Sequence, residues 1–333
     1  MPSNNSIGII GIGHFLPETI VNNQHFVDRG LDTTPEWIET RSGIKTRHVS
    51  AKNEATSDLA YKAAKIALDN AAMDSSDIDF IIVATATPDH YGFPSTACIV
   101  QKKLSIKKSI PCFDITVACS GFAYGLSLAY SKINSGFGKT GLVIGAETIS
   151  HLLDWSDRRT AILFGDGAGA AIVGSVSSGG FKQFDMGSDG FASDILGCKM
   201  NQNIERFNGE KVTGESPTIH MDGQSVFKKG IEVVLKSVKK VLTESNLTSD
   251  DIDYFVCHQA NYRILQSVGK RLGIDMAKFL INIDRVGNTS AASIPLVLGD
   301  YLSQKKIKKG DRLCLVGFGA GFTWSSIIIE WSY

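Results

Sequence analysis

The 333-residue chain has no surplus of charge: 34 lysines and arginines stand against 34 aspartates and glutamates. Nucleic-acid binders carry a basic excess because neutralising phosphates releases counterions, so this balance argues against that class, a patch on one face apart. Long apolar runs are missing too. None approaches the roughly 20 residues that a membrane span needs. The opening MPSNNSIGIIGIGHFLP lacks the basic segment and small-residue cleavage site of a signal peptide. The six cysteines (Cys98, Cys112, Cys119, Cys198, Cys257, Cys314) make no CxxC pair and no metal-ligand spacing. These absences favour a soluble cytoplasmic protein with reduced thiols, no bound metal, no nucleic acid and no membrane association.

What is present is a core. With 43% hydrophobic residues, the chain can bury two packed domains or one large duplicated unit. FIIVATAT (80–87), GLVIGA (141–146) and AAIVG (170–174) read as strands buried on both faces. Between them lie helical patterns such as TSDLAYKAAKIALDNAA (56–72), with Thr56, Ser57 and Asp58 as cap candidates. This alternation indicates an α/β protein with mostly parallel sheets.

The two halves echo each other. SSDIDFIIVATAT matches SDDIDYFVCHQAN with Asp77 and Asp251 separated by 174, and GLVIGAE matches RLCLVGFG with Gly145 and Gly317 separated by 172. Cys119 and Asn288, 169 apart, each open a small-residue helix. A duplicated unit follows, with halves at 1–175 and 176–333 packed face to face so that equivalent strand ends converge on one site. The polar, glycine-rich region from Gly179 to Pro217 reads as the crossing between halves plus a loop at the site edge.

Three side chains at such strand ends carry chemistry: Cys119, His258 and Asn288. A thiolate is a strong nucleophile, and a helix N-terminus lowers a thiol's pKa. Each residue also has a plain reading, as buried filler, structural histidine and helix cap. Of the glycine segments, IIGIGHFL lacks the third glycine of a dinucleotide fingerprint, and FGDGAGAA precedes a strand, which suits close backbone packing. GFGAGFTW is either a tight turn or a set of N–H groups facing an oxyanion.

At these residues the sequence resembles the β-ketoacyl-[acyl-carrier-protein] synthase III family of thiolase-fold condensing enzymes. The motifs run nearly end to end: TPEWIETRSGIKTRH (34–48), GFPSTA (92–97), ACSGFAYGL (118–126), DRRTAILFGDGAGAA (157–171), MDGQSVFK (221–228), HQANYRI (258–264), GNTSAASIP (287–295) and GFGAGFTW (317–324). The resemblance implies a thiolase-like fold, duplicated βαβαβαββ halves in five αβαβα layers, and a homodimer. It implies an acyltransferase that joins an acyl-CoA primer to malonyl-acyl carrier protein with loss of CO2, starting fatty-acid chains. An acyltransferase or polyketide synthase of specialised metabolism with the same trio is the alternative.

By the same resemblance Cys119 is the acylated nucleophile, and His258 and Asn288 serve decarboxylation. The N–H groups of Cys119 and Ala320 hold the oxyanion, with no metal or redox cofactor. Coenzyme A adenine is placed between Trp37 and Arg158, with Thr33, Arg41, Gly223 and Asn261 along its path and Phe227 lining the tunnel. Gln259, Ala260, Asn261, Tyr262 and Arg263 form the carrier-protein docking segment; read from charge alone, Arg263, Lys270 and Arg271 suit either an acidic carrier protein or the phosphates of coenzyme A. Phe93 reaches across the dimer to limit the partner's acyl pocket. Departures fall at Ala320, at Cys257 and in ILGCKMNQNIERFNGEKV (195–212), part of which borders the acyl site and leaves the primer open.

Overall fold

The computed structural model describes residues 6–198, 204–205, 211–212 and 218–333. Its two main sheets repeat one strand order. The first runs Ser6–Phe15, Gly167–Val176, Gly141–Glu147, Phe80–Ala84, Cys112–Ile115. The second runs Gly180–Ser188, Thr323–Glu330, Arg312–Gly319, Tyr254–Cys257, again with two antiparallel pairings followed by a parallel one. A parallel bridge from Phe255 to Phe279 stands where the first sheet has its edge strand.

Helices separate and cover these sheets in five layers. Gly121–Asn134 and Ser293–Ser303 lie between them, sharing one core with Phe80, Ile82, Val143, Leu313, Leu315 and Ile327. Thr56–Asn70 and Thr96–Lys103 cover the outer face of the first sheet, against Ile81, Val83, Leu142 and Ile144. Gly223–Glu244 and Tyr262–Leu272 cover the second, against Phe255, Cys314, Val316 and Ile328. Alternate residues of each strand therefore enter different cores. That is why the strands read as unbroken apolar runs, each buried large side chain contributing about 1.5–3 kcal/mol.

The helix Thr56–Asn70 sits unusually close to its sheet. A Cβ at Gly13 would lie 2.3 Å from the Ala63 carbonyl oxygen, so IIGIGHFL serves helix-on-strand packing. Likewise Gly169 of FGDGAGAA leaves room for Pro295, 2.5 Å from where a Cβ would be.

Two local expectations are corrected. Ala55 takes the N-cap position, and of the three candidates Asp58 caps this end, accepting the Ala55 N–H at 3.0 Å. Thr56 and Ser57 instead lie within the helix and reach sideways, to the Thr87 carbonyl at 2.5 Å and the Asp89 carboxylate at 2.5 Å. The region read as a crossing from Gly179 begins with a full strand, Gly180–Ser188. It pairs on one side, with Thr323–Glu330, and its outer residues are half-exposed, so polar residues and glycine hid it. The rest of that region lies partly outside the described residues; Leu196–Cys198 pairs with Ile219–Met221.

Candidate active site

Cys119 sits in a 3-10 turn, Ala118–Ser120, that feeds the helix Gly121–Asn134. The equivalent turn of the second half is Ser290–Ala292, feeding Ser293–Ser303. Both turns open with a non-glycine residue at positive φ, Ala118 at 43° and Ser290 at 48°. This match sets the repeat at the same spacing as Gly145 and Gly317. The structural counterpart of Cys119 is therefore Ala291, and the sequence pairing of Cys119 with Asn288 is corrected. Asn288 precedes the second turn and closes a parallel bridge with Phe164.

Cys119, His258 and Asn288 nonetheless come together, lining one cavity of about 160 Å³. All three are at least nine-tenths buried. His258 follows the strand Tyr254–Cys257 and its N–H donates to the Val316 carbonyl at 2.7 Å, which extends the parallel ladder by one residue. Its Nδ1 meets Ser293 Oγ at 3.1 Å, and the ring packs edge-on against Phe318. Asn288 accepts the Ser290 N–H on Oδ1 at 3.0 Å. With the amide oxygen so engaged, the NH2 is the donor this side chain can offer.

Burial decides the charge states. It pushes the Cys119 thiol up to about 12, against a smaller opposing effect of the Ser290 hydroxyl. The helix N-terminus works downward, but at up to ~2 kcal/mol it is worth only about 1.5 pKa units. Burial outweighs the lowering by the helix, and the thiol stays above its usual range. Burial also holds His258 down at about 3, so its imidazole is neutral. The resting site is thiol and imidazole, not an ion pair.

Cys119 also borders a second cavity, of about 90 Å³, with Ala320, Ile149, Leu152, Leu196 and Ile219. Gly319 presses directly on the thiol: a Cβ there would stand 2.7 Å from Cys119 Cβ. Leu196, Gly197 and Cys198 place the start of the 195–212 stretch at this apolar cavity, as expected for part of it. Residues 199–203 and 206–210 of that stretch lie outside the described residues. Ile149 and Leu152 were missed, since nothing in their spacing sets them apart from core.

The remaining candidates divide. Gly223, Phe227, Ala260 and Asn261 line the Cys119 cavity, and Asn261 donates from Nδ2 to the Arg41 carbonyl at 3.0 Å. Arg263 is exposed with its guanidinium 6.0 Å from the Phe227 ring, and Tyr262 is half-buried. Gln259 is corrected. It is fully buried, donating to the Cys257 and Leu280 carbonyls and accepting from the Asn282 and Ile283 N–H groups, so it offers nothing to a docking partner. Arg158 lies on Trp37 at 5.0 Å, with Arg41 also near that ring. A ring sandwiched between them needs two van der Waals layers, roughly 7 Å, so the pair as it stands is closed. Arg158 instead pairs with Asp32, beside Thr33, whose buried hydroxyl has no hydrogen-bond partner among the described residues. Phe93 is 91% exposed and lines neither cavity.

A buried thiol at a helix-opening turn of one half, faced by imidazole and carboxamide from the other, is the arrangement of a thiolase-fold condensing acyltransferase. Two family models match: 3-oxoacyl-[acyl-carrier-protein] synthase III over residues 113–190, and the C-terminal domain of the same enzyme over residues 242–331. The β-ketoacyl-[acyl-carrier-protein] synthase III of Clostridioides difficile is 47% identical, covering 99% of both chains, and that of Clostridium tetani is 45% identical over 98% of this chain and 99% of its own. The solved structure of the Aquifex aeolicus enzyme superposes with a TM-score of 0.89 at 37% identity, covering 98% of this chain and 100% of that one. The chain belongs to the β-ketoacyl-[acyl-carrier-protein] synthase III family, as its motifs indicate.

Proposed function

We propose that this protein starts fatty-acid chains by condensing an acyl-CoA primer with malonyl-acyl carrier protein, through an acyl thioester on Cys119. The observation that carries this reading is the single cavity shared by Cys119, His258 and Asn288. Cys119 attacks the primer thioester and coenzyme A leaves, which separates acyl transfer from condensation. The acyl chain extends into the second cavity, past Ile149 and Leu196. Malonyl thioester then enters from the His258 side and loses CO2. The neutral imidazole and the Asn288 amide donate hydrogen bonds to its thioester oxygen, where the enolate charge develops. The enolate carbon attacks the Cys119 thioester, whose oxyanion is received by the N–H groups of Cys119 and Ala320, and collapse breaks the carbon–Sγ bond, freeing Cys119 and the β-ketoacyl-carrier protein. No step calls on a metal, and among the described residues no His, Cys, Asp or Glu group is arranged to hold one.

Coenzyme A runs along Asn261, Gly223 and Phe227 to the surface, where its adenine stacks on Trp37 once Arg158 swings aside. Arg41 and Thr33 flank that path. Arg263, Lys270 and Arg271 are exposed on one helix and suit the acidic carrier protein. The exposed Phe93 supports a homodimer in which it enters the partner's acyl pocket. Among the described residues no helix is long and apolar enough to cross a membrane, and a cytoplasmic location agrees with the unbridged thiols of Cys98, Cys112, Cys119, Cys257 and Cys314.

Relatives 45–47% identical over nearly the whole chain are β-ketoacyl-[acyl-carrier-protein] synthases III, which supports the fatty-acid role. Incubation with a panel of acyl-CoAs, followed by malonyl-carrier protein and intact-protein mass spectrometry, tests it. A covalent acyl adduct that converts to β-ketoacyl-carrier protein is expected. An adduct that instead passes to another acceptor without chain extension overturns it.

A further inference from the structure

The small cavity of about 90 Å³ beside Cys119 has a larger neighbour. A polar cleft of about 300 Å³, lined by Lys52, Glu54, Asp89 and His151 with three threonines, lies behind its wall. Among the described residues, Leu152 alone lines both spaces. The rest of the wall consists of chain neighbours on opposite sides: Ala86 and Ile149 border the acyl cavity, Thr87 and Thr148 the cleft. Leu152 is buried and closes the 3-10 turn Ile149–Leu152. That turn is pinned along its length. The Thr148 N–H donates to Thr87 Oγ1 at 2.9 Å and the Ser150 N–H to Asp166 Oδ1 at 2.8 Å. His151 Nε2 lies 3.1 Å from Ser50 Oγ, and Ile149 and Leu153 pack with Phe164. With its backbone held from both sides, the wall cannot fold back, and a shortened side chain there leaves a passage that does not collapse.

We propose that Leu152 sets the length of the primer, stopping the acyl chain on Cys119 at the end of the apolar cavity and keeping it out of the polar cleft. The proposal rests on the acyl-enzyme reading. Ile149, Leu152, Phe164, Leu196 and Ile219 bring no charge to the cavity, so the primer that fits is a short, uncharged aliphatic acyl group. A longer chain has two ways to go, and both are costly. It displaces Leu152 against an anchored turn, which is overpacking, or its apolar end emerges among Lys52, Glu54 and Asp89. Phe93 lines neither the acyl cavity nor the cleft, so within one chain the stop is Leu152.

Rates of acyl-enzyme formation by the full-length protein with straight-chain acyl-CoAs from acetyl to decanoyl, read by intact mass, test this. The wild type should load short primers and fall off steeply before octanoyl. Leu152→Ala removes about three carbons from the wall, so the ratio of octanoyl to butyryl loading should rise by on the order of 10²-fold. Leu152→Val should raise it less. Leu152→Phe fills the cavity further and should shift preference the other way, from butyryl toward acetyl. Should Leu152→Ala fail to fold, the opposite shifts of the Val and Phe variants carry the test. An unchanged ratio in variants that still load short primers overturns the proposal, as does a wild type that loads octanoyl as fast as butyryl. A gain of long primers in Phe93→Ala with none in Leu152→Ala also overturns it, by placing the limit across the dimer. In each of these cases the acyl-enzyme stands. A wild type that no acyl-CoA labels overturns both.

Discussion

The two strand-to-helix junctions have one backbone and opposite contents. Val117–Gly121 and Thr289–Ser293 both bend through a positive-φ residue into a 3-10 turn and then a central helix. In the first, the positive-φ residue is a bare alanine and the next position carries the thiol. In the second, the positive-φ residue carries the hydroxyl and the next position is bare. The hydroxyl of one junction touches the thiol of the other. Duplication supplied the geometry twice, and divergence gave each copy half of a pair. One-sided substitutions should therefore have unequal effects.

The largest effect belongs to the first junction. Cys119→Ala removes the attacking atom, so no acyl adduct forms, and mass spectrometry after incubation with a competent acyl-CoA should find the unmodified chain. Appearance of a stable adduct would move the nucleophile elsewhere. Next comes the second half's contribution, His258→Ala. Acylation should survive, because the thiol's hydrogen bond runs to Ser290 and not to His258. Decarboxylation of the malonyl thioester should fall by about 10²–10³-fold, the usual effect of deleting one oxyanion donor. Release of labelled CO2 measures it, and an equal loss of acylation would show that the halves do not divide the labour.

The same contrast explains what the sequence made legible. The buried strands were readable because each feeds two cores, which leaves continuous apolar runs at 80–84 and 141–147. Gly180–Ser188 was not, because an outermost strand with half-exposed residues has no such run. The trio emerged from strand-end placement and family motifs together. Its exact pairing did not, since a three-residue difference in repeat spacing becomes visible only through backbone angles. Gln259 looked like surface in a motif yet is stitched into the core by four hydrogen bonds to the backbone. Glu147, ending the run GLVIGAE, is legible as a buried carboxylate in need of partners, which the Thr85 and Thr87 hydroxyls supply.

The smallest effect tests the shared bend itself. A non-glycine residue in the left-handed region costs roughly 1–2 kcal/mol. Ala118→Gly relieves that cost at φ 43°, but glycine adds unfolded-state entropy worth about 0.5–1 kcal/mol in the other direction. The net expectation is a gain below about 1 kcal/mol, a rise in Tm of no more than about 4 °C. Ser290→Ala, which keeps a Cβ at the second bend, should bring no such relief. Thermal denaturation of the two variants side by side reads the difference. A loss of stability in Ala118→Gly would mean that the first bend is held without strain, and the two junctions would then differ in backbone energy as well as in side chains.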